Sequence, residues 1–174
     1  MTFPVCAAQS TGARTIGPHR WGPVNPPPPG LWQPAAGTTP VSGNYIYTQW
    51  NLDTPEILAA PEVVIQVSTF TNSPVGHIMI LDRIGSQSDF VTMVGLAKLQ
   101  PGYYGDVLEY PFHNPARGGM RWMLGSSCGS RAGWFVVDHV TYGNDLVREL
   151  DLRFESGCIG QSPPLHGQVH YVAP

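Results

Sequence analysis

The chain has 174 residues, 42% of them hydrophobic and only 12% charged, with nine basic and twelve acidic side chains for a formal net charge of -3. That length suits about one domain with a self-supporting core. A single lysine, Lys98, leaves no cationic footprint for a phosphate backbone, and no apolar run approaches the roughly 18 residues of a membrane helix, so neither nucleic-acid binding nor membrane insertion is expected. Few charges beside 20 glycines and 18 prolines argue against a helical bundle and for an all-β protein.

The amino terminus, Met1 to Ala8, shows neither a basic leader nor an apolar stretch of about 7–15 residues. The expectation is a chain that stays where it is made, leaves by another route or has lost its leader. Nine of the 18 prolines fall in the first 40 residues. Residues 1–42 therefore read as an extended arm, with Pro26, Pro27, Pro28 and Pro29 in succession. Four prolines in a row hold φ near -65° and favour a polyproline II path with no internal hydrogen bonds.

Large apolar residues punctuate this arm: Phe3, Val5, Ile16, Trp21, Leu31 and Trp32. A free spacer is usually poor in aromatics, so these are read as anchors on a stiff strap that loses little entropy when it docks. The anchors fit self-packing on the arm's own domain or docking on a neighbouring subunit better than a free linker.

Residues 43–174 read as the β domain. Strands are expected over 44–50, 63–70, 77–81, 89–94, 134–140 and 146–155, with a last one around Val169 and Tyr171. Thr54 to Ala60, with Pro55 at its first position and Pro61 after it, is the one expected helical turn. Tyr142-Gly143-Asn144-Asp145 has the composition of a hairpin turn. Leu150, Leu152 and Phe154 alternate with Asp151, Arg153 and Glu155, which predicts one buried and one wet face. The whole predicts an antiparallel β-sandwich of about eight strands behind a proline-rich arm.

Chemistry-bearing patterns are few. Gly125-Ser126-Ser127-Cys128-Gly129 matches G-x-S-x-G, but a nucleophile elbow needs a helix after it, and Trp134–Val137 reads as a strand. His166 and His170 share a strand face about 13 Å apart, too far for one zinc, so they read as polar surface. Asp151, Arg153 and Glu155 at alternate positions read as a cross-strand ion-pair ladder rather than a carboxylate pair. Tyr103 and Tyr104 follow Pro101-Gly102 and are the best candidates for an exposed stacking platform. No catalytic, cofactor or metal site is expected.

Leu99-Gln100-Pro101-Gly102-Tyr103-Tyr104, then Glu109-Tyr110-Pro111-Phe112-His113-Asn114-Pro115, resembles a run in an exported bacterial β-sandwich domain of unassigned function. Phe154-Glu155-Ser156-Gly157-Cys158-Ile159-Gly160, followed by Pro164, Leu165, Gly167, Val169 and Tyr171, resembles its closing pattern. The resemblance spans roughly Leu96 to Tyr171 and implies a sandwich fold and an extracellular, cell-surface or virion location. It also favours a Cys128–Cys158 bridge over two buried thiols, leaving Cys6 unpaired.

The functional expectation is a non-enzymatic structural protein whose arm docks it, through Phe3, Trp21, Pro26–Pro29, Leu31 and Trp32, onto protein subunits that include its own kind. The alternative is an exported ligand-binding or adhesion module, with carbohydrate as the ligand class for Tyr103 and Tyr104.

Overall fold

The computed structural model describes residues 24–51, 53–59, 65–70, 74–81, 85–123, 130–160 and 163–174. The elements are β1 (Tyr45–Trp50), β2 (Glu56–Ala59), β3 (Gln66–Thr69), β4 (His77–Leu81), β5 (Gln87–Val91), β6 (Gly102–Glu109), β7 (Gly119–Arg121), β8 (Arg131–Gly143), β9 (Leu146–Cys158) and β10 (Leu165–Val172). The described residues form an all-β structure, and no helix in it is long and apolar enough to cross a membrane.

The strands form one ladder in the order β2-β1-β10-β9-β8-β6-β7-β5-β4-β3. The β6–β7 pair is parallel and the other pairs are antiparallel. The arrangement is thus a mixed ten-stranded sheet rather than two separate antiparallel layers of about eight strands. It curls strongly. Phe90 of β5 and Phe154 of β9 are four strands apart in the ladder, about 19 Å in a flat sheet, yet their ring centroids are 5.7 Å apart. Register shifts at Tyr104/Val107, Val137/His139 and Thr141/Tyr142 supply the extra twist and bend that such a curl needs. Closing the curl brings β3 against β9.

The core lies inside this curl. Ile46, Ile78, Ile80, Phe90, Trp122, Phe135, Leu152, Phe154 and Val169 are all essentially buried. Phe154 packs on Trp122 at 4.3 Å and Phe90 on Phe135 edge-on at 5.4 Å. Gly167 lies opposite Phe154, where a Cβ would come within 2.2 Å of its ring, so the glycine makes room for a core aromatic.

Two local expectations are corrected. The helical turn is instead β2, because Glu56–Ala59 satisfies its backbone by pairing with Tyr45–Thr48. Strands β6 and β7 were not expected. Asp106, at φ 51°, and the irregular register between Tyr104 and Val107 interrupt the period in β6, and β7 is only three residues long. The hairpin between β8 and β9 turns at Asn144 and Asp145, whose φ values of 52° and 64° fit a two-residue type I′ turn.

Candidate functional site

The outer face of β8, β9, β10 and β1 carries four ion pairs, His139–Glu149, Arg153–Asp138, His166–Glu155 and His170–Asp151, and the strap runs over part of it. The strap starts at the free edge of β6, where the Tyr103 N–H donates to the Asn25 carbonyl at 2.8 Å. Val24 packs on the core there. Pro26–Pro29 then stand exposed, and Leu31 and Trp32 are half-buried. Each of Asn25, Pro26, Pro27 and Pro28 precedes a proline, which drives it to the extended polyproline region.

Trp32 is the main anchor. Its ring stacks on the His166 imidazole at 4.9 Å and 15°, and lies 5.9 Å from the Tyr47 ring. The Arg153 guanidinium donates from Nη1 to the Trp32 carbonyl at 2.7 Å. Both partners are themselves held. Arg153 donates to Asp138 from Nε at 2.6 Å and from Nη2 at 2.8 Å, a bidentate fork that raises the already high pKa of the guanidinium. His166 Nε2 lies 2.9 Å from Glu155 Oε2. That hydrogen bond, helped by one from Trp134, holds the Glu155 carboxyl below its ordinary value although burial opposes it.

Further along, His170 Nδ1 lies 2.6 Å from Asp151 Oδ1 and its ring stacks on Tyr45 at 5.4 Å. Burial pushes the Tyr45 phenol up, a shift that its hydrogen bond with Thr39 of the strap only partly offsets. The face expected to be wet is therefore roofed. Tyr47, on the outward side of β1, is only 1% exposed beneath the strap. A set of charged groups already paired to one another tolerates such a cover, since none is left as an unpaired buried charge.

The candidate residues named from sequence divide accordingly. Phe3, Trp21, Cys6, Ser127 and Cys128 lie outside the described residues. Cys158 is disulfide-bonded. Trp32 sits on the chain's own sheet and Leu31 is half-buried, while Pro26–Pro29 are exposed. Tyr104 is not an exposed platform. It is 1% exposed, stacks on Phe135 at 4.4 Å, and its hydroxyl is tied to the backbone of Gln100. Burial raises its pKa to about 12. Tyr103 is half-buried between Trp134 and the strap.

Arg153 and Asp138 as the clamp, and His166 as the seat, were not singled out as a site from sequence. One signal was available: Asp151 and Glu155 share the four-residue spacing of His166 and His170, as an antiparallel register demands, and the strands pair His170 with Asp151 and His166 with Glu155.

A second charged cluster lies on the outer side of β4, β5 and β7. Asp89 is completely buried, with His77 at 2.8 Å on Oδ1 and the Arg121 guanidinium at 2.6 Å and 2.8 Å on Oδ2. Gln87 Nε2 donates to both oxygens, at 3.0 Å and 3.1 Å. Burial alone would raise the Asp89 carboxyl, but these donors outweigh it and hold it below its ordinary value. The His77 ring is stacked on Phe70 at 4.3 Å and tilted against Tyr110 at 4.9 Å. Every oxygen of this carboxylate is spoken for, so it braces the sheet rather than offering a base. Among the described residues no three His, Cys, Asp or Glu side chains are placed to hold a metal ion.

No family model, no curated protein and no solved structure matches this chain.

Proposed function

We propose that this protein is a non-enzymatic structural subunit that docks onto a larger protein assembly through its proline-rich arm, at a cell surface or on a virion. One observation carries the reading. Pro26–Pro29 are exposed, yet the strap is fixed on both sides of them, by Asn25 on β6 and by Trp32 on β9 and β10. A proline run tethered at both ends has already given up its conformational freedom, so a partner that binds it pays little ordering entropy. Having no N–H, the run cannot extend a β-ladder. It offers carbonyl oxygens and flat apolar rings, which suit an aromatic-lined groove.

The same reading takes the curled sheet as a sandwich-like body, as the resemblance to exported bacterial domains implies, with Cys128 as the bonding partner of Cys158. Peptide mapping without reduction reads that pairing directly. Tyr104 is in the core, which removes one of the two aromatics that the carbohydrate-binding alternative would use.

The test compares the full chain with one lacking residues 1–42 for co-sedimentation with the high-mass particle and envelope fractions of its source. We expect loss of co-sedimentation with the β-sheet circular dichroism retained. Equal co-sedimentation of the two proteins would end the proposal.

A further inference from the structure

Thirteen residue steps separate Trp32 from Tyr45. Their seats are close together: Trp32 rests on His166 and Tyr45 on His170, four residues apart on β10. Along a strand that is about 13 Å, whereas thirteen extended residues span roughly 45 Å. The intervening chain is therefore about three times longer than its path requires.

The surplus is visible. A turn at Ala35–Thr38, closed by the Thr38 N–H on the Ala35 carbonyl at 3.1 Å and using Gly37 at φ 79°, folds part of it away. Gly37 has no atom within 4 Å of where a Cβ would stand, and Val41 is fully exposed. Between this segment and the sheet residues Arg153 and Gln168 lies an open recess of about 350 Å³, so the linker arches over this part of the face before Thr39 reaches the Tyr45 hydroxyl.

The seat of Trp32, by contrast, is a built socket: an imidazole for the ring, a guanidinium for the carbonyl, and a carboxylate behind each. It belongs to the sheet, not to the linker. An identical copy presents an identical socket, and contacts made in exchange would equal those broken.

We propose that the strap is exchangeable: the Val24–Trp32 segment of one copy seats Trp32 in the His166–Arg153 socket of a second copy, joining the two. This deepens the docking reading above and rests on it. A linker longer than its span lowers the effective concentration of a chain's own strap, so a neighbour held at high local concentration competes for the socket. Reciprocal exchange closes a two-fold pair, and exchange handed on from copy to copy builds an open array.

The experiment uses two full-length variants with different tags. Trp32→Ala keeps the socket but lacks the anchor; His166→Ala keeps the anchor but lacks the seat. Arg153→Gln replaces the latter if His166→Ala loses its circular dichroism. Light scattering after size exclusion is run on the wild type, on each variant and on their equimolar mixture, over a hundredfold range of concentration. We expect concentration-dependent pairing of the wild type. The mixture should form a mixed pair at least tenfold more abundant than the self-pairs of either variant alone.

A wild type that stays monomeric throughout, with a mixture no more associated than its components, overturns the exchange. So does wild-type association that Trp32→Ala leaves unchanged. In the second case, loss of association on removing residues 1–42 would show that the arm docks at some other seat, leaving the docking function standing.

Discussion

The two outer regions of this sheet solve the same electrostatic problem in opposite ways. On β4, β5 and β7, Asp89, His77 and Arg121 are sealed by their own strands: the carboxylate is 0% exposed and its partners 10% and 26%. On β8, β9 and β10, the Arg153–Asp138 and His166–Glu155 pairs keep side-chain exposures of 14–36% even with the strap in place. The first network is closed by the ladder itself and opens only when the sheet does. The second is closed by a separate segment that contributes no strand to the sheet. A charge cluster sealed within the sheet braces the fold; one roofed by a strap depends for its cover on a segment outside the ladder.

That contrast can be broken most decisively at Asp89. Asp89→Ala removes a fully buried carboxylate and leaves Arg121, itself 26% exposed, without its counter-ion. Breaking a buried pair costs about 3–5 kcal/mol, and the partial exposure of Arg121 puts the expected loss at the low end, about 3 kcal/mol. We expect urea unfolding to show a loss of that size with little change in slope. A loss below about 1 kcal/mol, the level of an exposed pair, would mean that the two regions do not differ as described.

Next in size is the clamp. Arg153→Gln removes the donor to the Trp32 carbonyl and the fork on Asp138. Amide exchange over residues 30–39 should accelerate about tenfold, the equivalent of about 1.4 kcal/mol, while strands β4 and β5 keep their protection. Equal acceleration of both regions would show that the strap is not a separate unit.

Acid should sharpen the same division. The Asp89 and Glu155 carboxyls both sit below their ordinary values in the folded state. Their stabilising contributions are therefore complete above about pH 4.5 and are lost as pH falls through the depressed values. Followed by amide exchange from pH 6 downward, protection of the strap should decline at the acid end, and Glu155→Gln should flatten that decline without altering the unfolding of the β4–β5 region. A flat profile in the wild type would contradict the role given to Glu155.

The smallest effect is expected where both partners are wet. Lys98 and Asp145 pair at 2.6 Å with side-chain exposures of 46% and 64%. Lys98→Ala should move stability by no more than about 0.5 kcal/mol, read by the same urea titration.

Much of the β character was legible because it rests on local period. The alternation of Leu150, Leu152 and Phe154 with charged neighbours marks β9, and Asn144-Asp145 marks the turn before it through the two residue types that, after glycine, best tolerate positive φ. The extended course of Asn25–Pro29 likewise follows from proline sterics alone. The neighbours of each strand were not legible. Glu56–Ala59 is a strand because β1 is beside it, and Tyr104 is core because the β6–β8 pairing turns it onto Phe135. Composition and spacing by themselves determined an all-β chain and the extended course of its proline run, since φ restrictions and the two-residue period act within a few residues. Only the tertiary structure decided that the sheet curls as one ladder, that Asp89 is sealed, and that Trp32 rests on His166 and Arg153. Those outcomes depend on contacts between residues distant in sequence, which no local pattern encodes.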